Sequence, residues 1–510
     1  MSEIYHIIPY PNKIKELPGF VKLTDDLVYQ EEQTQELGEE GYTLSITENG
    51  VLAKGNKIGL YYAKVTWEQL QNQFKEQMPC LLIQDQPLFS YRGFMLDSVR
   101  HFIPKNDIKK LLDCAAMFKI NRMHWHLTDD QGFRLEIKSF PLLTEIGALR
   151  GKVHYGDIEE PEMSHDYYSQ EDVKEIVAYA RERMIEIVPE LEIPGHESAL
   201  LTAYPEAFCT SIEGAFEAPV VQQRGGIFHY LLCAGKEKSF EMIAKILDEI
   251  MLLFPSEYIH LGGDEACKKL WRSCRDCQKK IKELGLSDEN ELQQWFTIRV
   301  ANYLEDHGRR AIVWNDTLRG KKLSNHMMIQ SWMGDQSLIK DFLSRGGQMI
   351  QSDNSVYYLD YPYYISDVEH ILSFDPYPSY VSEEEKKGVT GLECPLWTER
   401  VPDLERITHL LFPRLSAMAE RAWNSNETKN LQKSFFERFE PFVSELEKRG
   451  ISCAPKAYWK IDNITAKLEK EIEDRLFNTP ENLNAMKLDE EAVAEEERFY
   501  PPQDILRNGD

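Results

Sequence analysis

From Tyr91 to about residue 425 the chain repeats one pattern eight times: a short apolar run suited to a strand, mostly followed by a stretch whose apolar residues recur three and four apart. Parallel strands cannot be joined by tight turns; they need crossovers, which helices supply. The strand candidates are residues 92–96, 122–127, 186–193, 258–261, 311–314, 327–332, 348–351 and 390–396. Helices are expected over 106–118, 170–183, 238–254, 288–307 and 404–423, and in the first of these Ile108, Leu111, Leu112, Ala115 and Ala116 share one face. The connection between the seventh and eighth strands is irregular and rich in tyrosine, which predicts a degenerate helix there. Eight such units predict an α/β fold built on a (β/α)8 TIM barrel at 88–425, with functional groups at the carboxyl ends of its strands. Residues 1–87 read as a small α/β domain, and 426–510 as a helical extension with an acidic tail from Pro480.

Composition narrows the partners. The net charge of −26, from 85 acidic and 59 basic residues, argues against nucleic acid or an anionic membrane. A neutral ligand such as carbohydrate stays open. No apolar run reaches membrane-spanning length, and the opening residues lack a basic and then apolar leader, so a cytoplasmic protein is expected. Nine scattered cysteines do not form a disulfide framework. Cys267, Cys274 and Cys277 cluster, and Cys274-Arg-Asp-Cys277 has metal or redox spacing. No second such pair and no nearby histidine complete a ligand set, so no metal and no cofactor are expected.

Polar and aromatic residues gather where the strands finish. The first strand runs into Asp97 and Arg100, the second into His124-Trp125-His126 and Asp129-Asp130, and the third into Pro194-Gly195-His196. After the fourth comes His260-Leu261-Gly262-Gly263-Asp264-Glu265, two glycines permitting a sharp turn and then two adjacent carboxyls. Trp314, Trp332, Tyr358 and Trp397 follow later strands, with Asp360 and Glu399 beside them. Aromatic walls stack on the apolar faces of a sugar ring while acids and arginine take its hydroxyls. A rival reading uses His124 and His126, two apart on a strand and so on one face, as zinc ligands of a metal-dependent hydrolase, with His196 and an aspartate completing the set. A third is a non-catalytic glycan-binding barrel.

These motifs, with Arg92-Gly93, Arg100-His101-Phe102 and Asn121, resemble glycoside hydrolase family 20, the β-N-acetylhexosaminidases, over residues 1 to about 425. The resemblance implies exo-hydrolysis of terminal β-linked GlcNAc or GalNAc from a glycan or glycoconjugate. It also implies retention by substrate-assisted catalysis through an oxazolinium intermediate, outside the usual two-carboxylate scheme. It makes Glu265 the general acid and base, a group that must carry a proton near neutral pH, and Asp264 the partner of the acetamido N–H, a group that must be ionised. It gives Tyr358 the acetamido carbonyl, and His196 with Asp129 a relay that tunes the acid. Trp314, Trp332 and Trp397 would enclose the sugar, and Arg100, Asp360 and Glu399 would bind its hydroxyls. The likeness departs from the family at Phe133, where tryptophan is common, and at Asn315-Asp316. It has no counterpart for 210–235 or for the C-terminal 85 residues, to which no role is assigned.

Overall fold

The structure, a computed structural model, describes all residues except 1–3, 24–25, 33–36, 152–153, 156–157, 160–162, 213–217, 425–428 and 477–510. The acidic tail therefore lies outside the described residues.

Eight parallel strands close a barrel in chain order: Tyr91–Asp97, Arg122–His126, Glu186–Glu190, Tyr258–His260, Arg310–Trp314, Met328–Ser331, Gln348–Gln351 and Val389–Leu396. All eight expected strands are found, most a little shorter or longer than the apolar run that announced them. The third ends at Glu190, although the Leu191 and Ile193 N–H groups still donate to the His260 and Leu261 carbonyls before the chain runs on to His196. Neighbouring registers set Asp97 beside His126, His126 beside Glu190 and Glu190 beside His260, so one layer of the barrel is polar. The helices Lys105–Met117, Gln170–Arg181, Glu237–Leu253 and Glu289–Asp306 bury the faces that the three-and-four spacing marked. Between the seventh and eighth strands stand only the six-residue helix Val368–Ser373 and a 3-10 turn, Glu385–Gly388. The rest of that connection is free to serve the site.

The N-terminal unit is a five-stranded sheet, ordered Lys13–Lys22, Gln77–Asp85, Tyr42–Thr47, Gly50–Gly55, Leu27–Glu31, with the helix Lys57–Gln73 packed on it. Asn56 starts that helix by accepting from the N–H groups of Ile58 and Gly59. The unit is welded to the barrel through buried charge. Asp85 accepts from Tyr42 Oη at 2.7 Å and from Trp423 Nε1 at 2.8 Å, and pairs with Lys119 Nζ at 3.2 Å. Arg92 pairs with Glu40 at 2.8 Å and lies over the Trp423 ring. The helix Asn463–Leu476, near the end of the described chain, returns to the barrel mouth. There Glu469 accepts the backbone N–H groups of Tyr363 at 3.0 Å and Tyr364 at 2.8 Å.

Candidate active site

The carboxyl ends of the strands surround a cavity of about 460 Å³. Its wall takes Arg100 from beyond the first strand, His196 from the third, Asp264 and Glu265 from the fourth, and Trp332 from the sixth. Tyr358 and Asp360 come from the seventh connection, Trp397 and Glu399 from the eighth. Residues from six strand ends thus line one cavity, and two of the expected site residues stand off its wall. Trp314 lies under the floor, 1% exposed, its Nε1 donating to Glu190 Oε1 at 3.0 Å and its ring 6.1 Å from that of Trp397. Asp129 stands behind His196 rather than on the wall.

The two carboxyls owe their position to a cramped turn. Gly262 has φ 59°, and a Cβ there would sit 1.8 Å from Glu192 Oε2, so only glycine fits. Glu192 Oε2 accepts the Gly263 N–H at 3.2 Å, and Gln293 Nε2 donates to the Gly263 carbonyl at 2.8 Å. Beyond this turn Glu265 itself is left-handed, φ 47°, as is His196, φ 52°. Backbone held this way in non-glycine residues concentrates at functional sites.

A chain of charge runs behind the pair. His196 Nε2 lies 3.5 Å from Glu265 Oε2 and 3.9 Å from Asp264 Oδ2. On its other side Nδ1 is 3.0 Å from Asp130 Oδ2 and 3.3 Å from Asp129 Oδ1. Asp130, whose role the sequence reading left unassigned, is the nearer partner. The Ser198 N–H donates to it at 2.9 Å, which fixes its orientation. Burial works against a charge on His196, but Asp129 and its neighbours outweigh that and hold the imidazole well above its ordinary range. Asp129 is in turn gripped by Arg100 at 2.7 Å and by His126 Nε2 at 2.9 Å.

Asp264 departs from the expectation of an ionised group. Burial pushes its carboxyl up to about 8, with His196 pulling down and Glu265 pushing further up. The physical reason is a dry wall with an unmet acceptor, for Asp264 Oδ1 is buried without a hydrogen-bond partner. Asp360 is likewise raised to about 8, first by burial and then by Glu399, and its Oδ1 too is unpaired.

The aromatic walls are tied to the acids. Trp332 stacks with Tyr358, centroids 6.1 Å apart at 21°, and its Nε1 donates to Asp316 Oδ2 at 2.9 Å. Asp316 Oδ1 receives the Glu265 N–H at 3.4 Å, and Asn315 Oδ1 receives the Trp332 N–H at 3.1 Å. The Asn315-Asp316 departure is therefore the brace between wall and acid. The Trp397 indole N–H donates to the Tyr358 hydroxyl, which leaves that hydroxyl its own proton to donate. Arg100 stacks over Trp397 at 4.9 Å. Glu473, from the helix Asn463–Leu476, also lines the cavity, so the extension without an assigned role reaches the site.

The geometry corrects the reading of His124 and His126 as zinc ligands. His124 Nδ1 lies 2.9 Å from Glu393 Oε1, and its Nε2 lies 3.1 Å from Glu190 Oε2. Burial alone would lower both imidazoles, yet Glu190 and Glu393 lift His124 to about 10, and Glu190 with Asp129 lifts His126 to about 9. Among the described residues no group close enough to share an ion joins His124 to His126, or either of them to His196. With His260 lowered by burial, two imidazolium ions face Glu190 and Glu393 beneath the floor, and their charges cancel.

Cys274 and Cys277, which had no further cysteine pair beside them in sequence, are joined in space by Cys209 and Cys233, all four sulfurs lying within 4.8 Å of one another. Cys209 stands just before the stretch that could not be matched to the family and Cys233 near its end, so spacing alone did not show them.

The sequence model for the glycosyl hydrolase family 20 catalytic domain matches residues 89–426, and that for domain 2 of the same family matches 22–86. The chain is 36% identical over 437 residues to a beta-hexosaminidase of Porphyromonas gingivalis, covering 82% of this chain and 55% of that protein. It thus spans little more than half the length of that relative. It is 33% identical over 438 residues to a beta-hexosaminidase of Akkermansia muciniphila, covering 82% of this chain and 86% of that one. Among solved structures it superposes with TM-score 0.78 and 26% identity on a family 20 exo-beta-N-acetylglucosaminidase of Vibrio harveyi in complex with N-acetylglucosamine, covering 89% of this chain and 79% of that one. Barrel, turn and family match agree: this chain belongs to glycosyl hydrolase family 20.

Proposed function

We propose that the protein is an exo-acting β-N-acetylhexosaminidase that removes terminal β-linked GlcNAc or GalNAc from glycoconjugates, with the sugar's own acetamido oxygen as nucleophile. The observation that carries this is the buried, unpaired Oδ1 of Asp264 beside Glu265 on an aromatic wall. A buried acceptor without a donor is costly, and an amide N–H from the substrate is the group that would meet it. Accepting that N–H also favours the charged form of the carboxyl, so substrate binding itself draws the Asp264 proton off.

In the first step the acetamido oxygen bonds to the anomeric carbon as the glycosidic C–O bond breaks, and Glu265 gives its proton to the departing oxygen. Asp264, as the anion, steadies the positive charge spreading over the oxazolinium. Tyr358 donates a hydrogen bond to the acetamido carbonyl oxygen and keeps it in line for attack. Water then attacks the same carbon, giving a proton to Glu265, and the ring opens with configuration retained. Trp332 and Trp397 hold the sugar face, with Trp314 supporting Trp397 from below. Arg100, Asp360 and Glu399 bind the hydroxyls. His196, with Asp129 and Asp130, positions the acid rather than reacting. Nine cysteines, none of them in a disulfide, support a reducing, cytoplasmic setting. Among the described residues no helix is long and apolar enough to cross a membrane.

Paired aryl glycosides test the reading. Turnover of the β-GlcNAc substrate should exceed that of the β-glucoside by at least about a thousandfold in kcat/KM, and Glu265→Gln should nearly abolish it. Comparable glucoside turnover would remove the substrate-assisted mechanism.

A further inference from the structure

We infer that Cys209, Cys233, Cys274 and Cys277 bind one zinc ion in a closed tetrathiolate site, separate from the sugar pocket. The side chains are fully buried, and each sulfur lies within 4.8 Å of the other three. The separations are 3.8 Å for Cys209–Cys277, 3.7 Å for Cys233–Cys274 and 3.6 Å for Cys233–Cys277. Four sulfurs at a Zn–S distance of about 2.3 Å in a tetrahedron stand about 3.8 Å apart. Thiols packed merely as small apolar groups also approach to about this distance in pairs. What packing alone does not require is closure, in which four sulfurs from three chain segments all lie within 4.8 Å of one another.

The local backbone fits thiolate ligands. Cys274 and Cys277 flank the start of the ten-residue helix Arg275–Leu284, whose N-terminal dipole favours negative sulfur. The Cys277 N–H donates to the Cys274 sulfur. Cys209 and Cys233 meet where Phe208 pairs with Leu232 in an antiparallel bridge, and the Cys233 N–H donates to the Ala207 carbonyl at 2.8 Å. Lys236 Nζ donates to the Phe208 carbonyl at 2.6 Å, so a cation stands beside the site. Binding takes the proton from each of four S–H groups, releases those protons to solvent and leaves every oxidation state unchanged. With four protein ligands no coordination position is open, so the ion is structural. It clamps both ends of the 209–233 segment, whose Gly225 and Gly226 line the sugar cavity and whose Gln222 N–H donates to the Asp130 carbonyl at 2.9 Å.

The test needs no turnover and does not depend on the sugar-pocket reading. Protein grown with zinc and purified without chelator or metal-affinity resin should carry about one zinc per chain by elemental mass spectrometry. A mercurial reagent should release that zinc to a chromophoric indicator. Cobalt exchanged into the protein should show a thiolate-to-cobalt charge-transfer band with strong tetrahedral d–d absorption, lost in Cys209→Ser and Cys277→Ser. If those variants do not fold, the metal content and cobalt spectrum of the unaltered chain decide. Zinc below about a tenth of an equivalent, iron in its place, or a Cys209–Cys277 or Cys233–Cys274 disulfide in peptide maps overturns the proposal.

Discussion

At the scale of single residues, Asp264 shows what a site asks of a fold. Its carboxyl sits at about 8 in the folded chain, against about 3.9 when unfolded. Between those values the folded state holds the extra proton, so this residue makes stability fall as pH climbs from about 4 to about 8. Asp264→Asn removes that titration. The variant's melting temperature should match the parent's near pH 4 and exceed it by a widening margin toward pH 8, read by thermal scanning across the range. A margin independent of pH would show that burial does not hold the proton. Asp264 and Glu265 stood out in sequence as two adjacent carboxyls after two glycines at a strand end, and their separate roles came from the family resemblance, not from the turn. Asp130 was harder to see. It neighbours Asp129 in sequence, and nothing in an Asp-Asp doublet says which carboxyl will turn to His196. Trp314 was read as a wall because it ends a strand, yet its indole N–H follows Glu190 downward, a partner that has no sequence signal at all.

At the scale of elements, short apolar runs alternating with stretches of three-and-four spacing revealed every barrel strand, since burial on both faces leaves a near-continuous apolar run. The helix Asn463–Leu476 falls within the helical extension that the sequence predicts, but its role at the site was not legible. Its contribution is two carboxylates, not an apolar face, and such groups read in sequence as a solvated surface. Glu469 satisfies the N–H groups of Tyr363 and Tyr364, in the same connection that holds Tyr358 and Asp360. Glu469→Ala leaves both donors without their partner, a local penalty of about 1–3 kcal/mol for a buried group. We expect kcat/KM for aryl β-GlcNAc to drop about tenfold while the global melting temperature barely moves. Unchanged kinetics would show that the helix rests on the loop without holding it.

At the scale of the whole molecule, the sheet unit and the barrel share one buried carboxylate. Asp85 joins Tyr42 of the sheet to Lys119 and Trp423 of the barrel, and Lys119 is wholly buried, its charge opposed by burial and upheld by Asp85. Asp85→Ala strands that ammonium at a cost of about 3–5 kcal/mol. Calorimetry should record one transition at lower temperature for the entire described body; two separated transitions would show that the units unfold independently. Glu473 carries a different consequence. A chain is made from its N-terminus, and its domains condense in that order as they leave the ribosome. Every strand of the barrel is complete by Leu396, but one wall of the cavity waits for residue 473. During synthesis, then, a finished barrel with an unfinished pocket must precede the enzyme.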